Sequence, residues 1–165
     1  MKMEEVGGGV SDPLSADEAR AIVLLFVSVD CPIVNSYAPK LRRLSETFAA
    51  KGVVFRLVYP NHDEDQPKIQ RHLLEYNLPF TAYRDLNHHL VRAAQVSVTP
   101  EAAVYVPGKG WLYHGRIDNR FVALGKMRSV VTQEDLQEVL TAILENRPVK
   151  VGATRAVGCS IASQP

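Results

Sequence analysis

Cysteine is scarce here: two residues in 165, Cys31 and Cys159. That is too few for a disulfide scaffold or a structural zinc site built of thiolates. Charge of one sign is missing as well, with 19 Lys and Arg against 18 Asp and Glu and a net charge of +1. No broad attraction to nucleic acid or to an anionic membrane follows, so neither is an expected partner. No apolar run reaches the roughly 20 residues of a membrane helix, and no membrane insertion is expected. The opening stretch from Met1 to Gly9 has no hydrophobic signal core, which points to the cytoplasm. A periplasmic or other extracytoplasmic home is the alternative if a signal has been removed. The histidines, His62, His72, His88, His89 and His114, lack metal-ligand spacing, and no metal is expected on them.

What is present is globular: 46% hydrophobic and 22% charged residues, in a chain long enough for one cored domain. Residues 1–12 are glycine-rich and read as a flexible N-terminus. Residues 13–146 read as the domain, and 147–165 as a tail carrying Cys159. Ala21 to Val29 is apolar on both faces, as a central parallel strand requires. From Pro32 the apolar residues Ile33, Val34, Tyr37, Leu41, Leu44 and Phe48 recur at helical steps. Pro39 lies inside that helix and Gly52 ends it. Val53 to Tyr59 is a second β-branched strand. Residues 61–66, with His62, Asp63, Glu64 and Asp65, read as a solvated loop. A helix over 67–76, a short strand over 80–84 and a short helix over 87–94 follow. Ala102–Val106 and Trp111–His114 flank a Pro-Gly-Lys-Gly turn and predict a hairpin. Thr132 to Asp135 resembles a capping box opening a last helix. The order βαβα, β-hairpin, α predicts a mixed sheet flanked by helices.

Cys31 lies at the seam between the first strand and its helix. A helix N-terminus offers unpaired N–H groups and the positive end of a dipole. A thiol placed there ionises more easily, and the thiolate is the nucleophile. The alternative is an inert buried core thiol.

Cysteine at the end of the first strand, Pro39 eight positions after it and Thr99-Pro100 before the hairpin resemble the thioredoxin fold. Asp30-Cys31-Pro32-Ile33, Val96 to Glu101, Tyr113 to Asp118 and Val157-Gly158-Cys159-Ser160-Ile161 are similar to a bacterial redoxin group, the AhpC/TSA-like proteins. The resemblance implies an α/β thioredoxin-like fold with a mixed central sheet flanked by helices. It also implies a cis peptide at Pro100, and thiol chemistry at Cys31 that needs no organic cofactor. The pattern departs from its relatives in places. Val34 replaces the second cysteine of Cys-x-x-Cys, which excludes exchange between neighbours. Ser28 matches the peroxiredoxin Thr/Ser three before the cysteine, whereas Leu24 stands where their proline would be. Asn35 replaces the second cysteine of Cys-x-x-x-Cys copper proteins.

The expected enzyme is a thiol–disulfide oxidoreductase or a peroxiredoxin-like thiol peroxidase. Cys31 is its nucleophile and Cys159 a resolving cysteine. Its partners are a thiol or disulfide protein or a hydroperoxide, with an external thiol reductant. Thr99 and Pro100 would align the substrate, with Ser28 and Arg116 as auxiliary groups. For Cys159 an incidental tail thiol and a structural disulfide remain open. Pairing requires Cα atoms within about 7 Å. Two other readings stand beside the enzyme: a redox-inactive module that docks partners on the cis-proline surface, and a copper-handling protein.

Overall fold

The computed structural model describes residues 1–164. In chain order the elements are β1 (Met3–Glu4), β2 (Val10–Ser11), β3 (Ala21–Phe26), α1 (Pro32–Ala49), β4 (Val53–Tyr59), α2 (Gln66–Glu75), β5 (Thr81–Arg84) and α3 (His89–Ala94). There follow β6 (Val98–Thr99), β7 (Glu101–Val106), β8 (Gly110–Gly115), β9 (Phe121–Ala123), β10 (Lys126–Met127), α4 (Asp135–Leu144) and β11 (Cys159–Ser160). Five strands form the central sheet in the order β5-β4-β3-β7-β8. β3, β4 and β5 run parallel, while β7 and β8 are antiparallel to their neighbours. This is the mixed sheet that the element order predicts.

Side chains alternate across a strand, and β3 shows the consequence. Val23 and Leu25 join the apolar face of α1, including Leu41, Leu44 and Phe48, and Leu136, Val139 and Leu140 of α4. Ile22, Leu24 and Phe26 point the other way, into a smaller cluster with Leu90 and Ala94 of α3. Both faces of β3 are therefore covered, and its six residues are fully buried. A strand buried on both sides cannot shift without exposing apolar surface. It is a rigid mount for whatever follows it.

Three local expectations change. The first strand stops at Phe26 rather than Val29, so Val27 to Asp30 form the turn into α1. Residues 1–12 fold as a hairpin, β1 against β2, with the Val6 amide on the Ala82 carbonyl at 2.8 Å. Its glycines adopt positive φ at Gly7, Gly8 and Gly9, so they make a turn where composition alone suggested slack. The capping box at Thr132 is not made. Glu134 is the N-cap and has no side-chain cap bond. The Thr132 hydroxyl instead takes the Asn119 amide at 2.6 Å, and the Asp135 carboxylate takes Arg116.

Candidate redox site

Cys31 is the N-cap residue of α1, in extended backbone conformation, with Pro32 opening the helix. Its carbonyl accepts the Asn35 amide at 3.1 Å. The helix therefore begins at the cysteine, whose side chain makes no cap hydrogen bond, and the positive end of the helix dipole faces this end of α1. The side chain is 2% exposed. Its Sγ lies 3.4 Å from the carbonyl oxygen of Thr99. Thr99 precedes Pro100 through a cis peptide bond, as the resemblance implied. The Ser28 and Thr99 hydroxyls are hydrogen-bonded at 2.7 Å in the buried floor. Ser28, Cys31, Thr99 and Pro100 are thus brought together by the ends of β3 and β6.

The tail completes the site. Cys159 and Ser160 pair antiparallel with Thr99 and Val98. Cys159 is bonded to Cys31 in a disulfide with Cα atoms 6.2 Å apart, across a separation of 128 positions. Neither cysteine is free. The backbone edge of Thr99, expected to align a partner peptide, is occupied by the chain's own tail. Gly158 makes this seating possible: a Cβ there would run into the Thr99 carbonyl and the Pro100 nitrogen. Gly115 likewise leaves no room for a Cβ against Thr154, where the tail crosses the end of β8.

Arg116 does not join this group. Its guanidinium is held by the Asp135 carboxylate at 2.7 Å and by Gln133 at 3.3 Å. Asp30 is not a helix cap either. Its carboxylate is 81% exposed and pairs with Lys68 at 3.2 Å, a surface contact of small weight. Among the described residues no three His, Cys, Asp or Glu side chains gather as a metal site.

The sequence reading missed a buried polar network under the turn. Glu64, placed in a solvated loop by its acidic neighbours, is only 3% exposed. Its Oε2 accepts the Val29 amide at 2.5 Å, two residues before Cys31. Its Oε1 has no partner among the described residues. The Val29 carbonyl accepts from the Asn35 side chain, whose Oδ1 meets His72 Nε2 at 2.6 Å. His72 Nδ1 meets the Tyr59 hydroxyl at 2.8 Å. This chain ties β4, α1 and α2 to the turn that carries the cysteine. A signal was available: His72 and Ile69 are spaced for the buried face of α2, and both are buried.

Burial pushes the Glu64 carboxyl up from its ordinary 4.5 to about 7. The Val29 amide and Lys68 oppose the rise, while Asp63 and Asp30 add to it. The folded state therefore holds this proton more tightly than the unfolded chain does. Stability from this group is largest below pH about 4.5 and falls as pH rises towards 7, by about 3 kcal/mol. Glu64→Gln is expected to remove that slope. Urea unfolding of both proteins from acid to mildly basic pH checks it. The variant should match wild type at low pH and exceed it above neutrality. Parallel stability curves for the two proteins would refute the assignment.

The AhpC/TSA family model matches residues 7–116 of the chain. No curated protein matches it. Among solved structures, a hypothetical protein from Sinorhizobium meliloti 1021 is 22% identical, with 98% of this chain and 89% of that one covered at a TM-score of 0.83. An uncharacterized conserved protein from Geobacillus kaustophilus is 26% identical over 99% of this chain and 88% of that one, with a TM-score of 0.82. A secreted Mycobacterium tuberculosis disulfide oxidoreductase, described as homologous to E. coli DsbE, is 19% identical, covers 88% and 95%, and has a TM-score of 0.58. These likenesses agree on the thioredoxin-like fold. The matched residues contain the helix that starts at Cys31, the cis-proline turn and the five-stranded sheet, and the chain belongs to the AhpC/TSA family.

Proposed function

We propose that this protein is a thiol–disulfide oxidoreductase that cycles between the Cys31–Cys159 disulfide and two thiols. The observation that carries this reading is the disulfide itself, formed between the start of α1 and a tail strand seated beside the cis-proline. Exchange proceeds by thiolate attack on one sulfur and departure of the other. Cys31 is buried, whereas Cys159 is partly exposed. An incoming thiolate therefore attacks Cys159, and Cys31 leaves as a thiolate favoured by the helix N-terminus. The partner is then held on Cys159 as a mixed disulfide, and its second thiol releases it. The partner ends oxidised and this chain ends with two thiols.

This order is testable. Oxidised protein is treated with excess monothiol, quenched in acid and mapped by peptide mass. The mixed disulfide is expected on Cys159, with Cys31 free. A mixed disulfide on Cys31 would reverse the assigned roles.

A second reading is hydroperoxide reduction, favoured by the family and by Ser28 three positions before Cys31. The reduced Cys31 thiolate attacks the peroxide, an alcohol or water leaves, and Cys159 displaces hydroxide from the resulting sulfenic acid. The engagement of Arg116 by Asp135 leaves that arginine less available for polarising a peroxide. Relative rates of oxidation by peroxide and by a disulfide substrate choose between the two readings. The docking-module reading loses its surface in the oxidised protein, because residues 159 and 160 fill the Val98–Thr99 edge. Among the described residues no helix is long and apolar enough to cross a membrane. An oxidising compartment suits a long-lived disulfide, and the Mycobacterium relative described as secreted supports placing this protein in one.

A further inference from the structure

An open groove of about 840 Å³ lies beside Cys159, between the β9–β10 hairpin and residues 154–158. One wall is apolar and exposed: Val122 is 43% and Leu124 68% accessible. The other is the backbone of the tail as it approaches the disulfide. Among the described residues, no hydrogen bond is made by the backbone of Arg155, Ala156 or Val157. Those groups are open to an extended strand.

The exposed charge in the groove has one sign. Arg128 and Arg155 line it, are exposed, and have no acidic partner among the described residues. Arg116 is neutralised by Asp135. Glu101 is the one acidic side chain in the lining, and it is 4% exposed. Its Oε1 accepts the Ser97 amide at 3.0 Å and the Val98 amide at 3.4 Å, and its Oε2 faces His114 at 3.3 Å. That carboxylate is fully engaged inside the fold. The surface left for a visitor is therefore basic and apolar, with unpaired backbone, next to the sulfur that is open to attack.

We propose that this groove docks an extended, acidic segment of the thiol protein that exchanges with Cys159. The inference rests on the exchange reading above and names its partner by chemistry. The segment would add its backbone along residues 155–157 and set its carboxylates against Arg128 and Arg155. Its cysteine thiolate would attack the Cys159 sulfur. One S–S bond forms, the Cys31–Cys159 bond breaks, and Cys31 leaves with the electron pair. A second thiol of the partner then displaces Cys159, so the partner loses two electrons and this chain gains them.

The test uses two synthetic peptides, each with one cysteine and with Glu or Lys at matched flanking positions. Their intrinsic thiol rates are normalised on a small aromatic disulfide. Opening of the Cys31–Cys159 bond in the full chain is followed by acid quench and intact mass. At low salt the acidic peptide is expected to react about tenfold faster than the basic one. That preference should collapse at high salt and in Arg128→Glu/Arg155→Glu, while at high salt dithiothreitol opens both proteins at one rate. Equal peptide rates with normal opening by dithiothreitol overturn the groove and leave the exchange reading intact. A preference that survives in the double variant also overturns the groove. A bond that no thiol opens overturns both.

Discussion

Gly158→Ala is expected to stop Cys31 and Cys159 from pairing. The reason is steric and local. A Cβ at position 158 meets the Thr99 carbonyl and the Pro100 nitrogen, which are backbone atoms. A flexible side chain would give way, but these are backbone atoms of the buried cis Thr99-Pro100 step, followed directly by Glu101 in the central sheet. The tail must therefore lift, and Cys159 moves with it. Disulfide closure demands narrow geometry, with Cα atoms about 4.4–6.8 Å apart. A displacement of about 1 Å at a reacting atom can cost on the order of 100-fold in rate. The expected result is a closure rate at least about 100-fold slower after one equivalent of oxidant, read by alkylation and intact mass. Reduced variant and reduced wild type should unfold at nearly the same denaturant concentration, because the tail meets the core only through partly buried residues such as Val157 and Cys159. Closure at the wild-type rate would show that the tail does not need this seat.

Cys159→Ser is expected to carry the largest stability loss of any single change in the tail. The bond closes a loop across 128 positions. Restricting an unfolded chain over that span is worth about 5 kcal/mol by the chain-entropy account. That is a large share of the 5–15 kcal/mol typical of a domain. Oxidised wild type should therefore unfold at markedly higher denaturant than Cys159→Ser. Reduced wild type should fall close to the variant, since both lack the cross-link. The same substitution leaves Cys31 without its resolving sulfur. Under peroxide it should advance to sulfinic acid, a gain of two oxygens by mass, where wild type stops at the disulfide. Equal stability of the oxidised wild type and the variant would show that the bond constrains the unfolded chain very little.

Cys31 was legible in the sequence because the signals that place it are local. An apolar run, a Cys-Pro step and a three-and-four apolar periodicity suffice to put a thiol at a helix start. The hairpin of β7 and β8 was legible for the same reason, from its turn residues. Cys159 was expected as the resolving partner only through the family resemblance of its segment, with an incidental thiol and a structural disulfide beside it; nothing local states that it returns to β6, and the Cys31–Cys159 bond agrees with the pairing. Glu64 was misplaced because its neighbours His62, Asp63 and Asp65 are polar, and local composition averages over a side chain that turns inward. The N-terminal glycines misled likewise, since glycine serves a slack segment and a tight turn equally well.

The sequence by itself determined the layered α/β order, the rigid central strand and the thiol at its end, all of which follow from periodicity and turn chemistry within short windows. The tertiary structure decided the rest. It joined Cys31 to a sulfur 128 positions away, buried Glu64 beneath the turn that carries Cys31 and set Arg116 against Asp135. Each of these depends on which distant backbones come within a few ångströms, and that is settled by packing of the whole sheet rather than by any local preference.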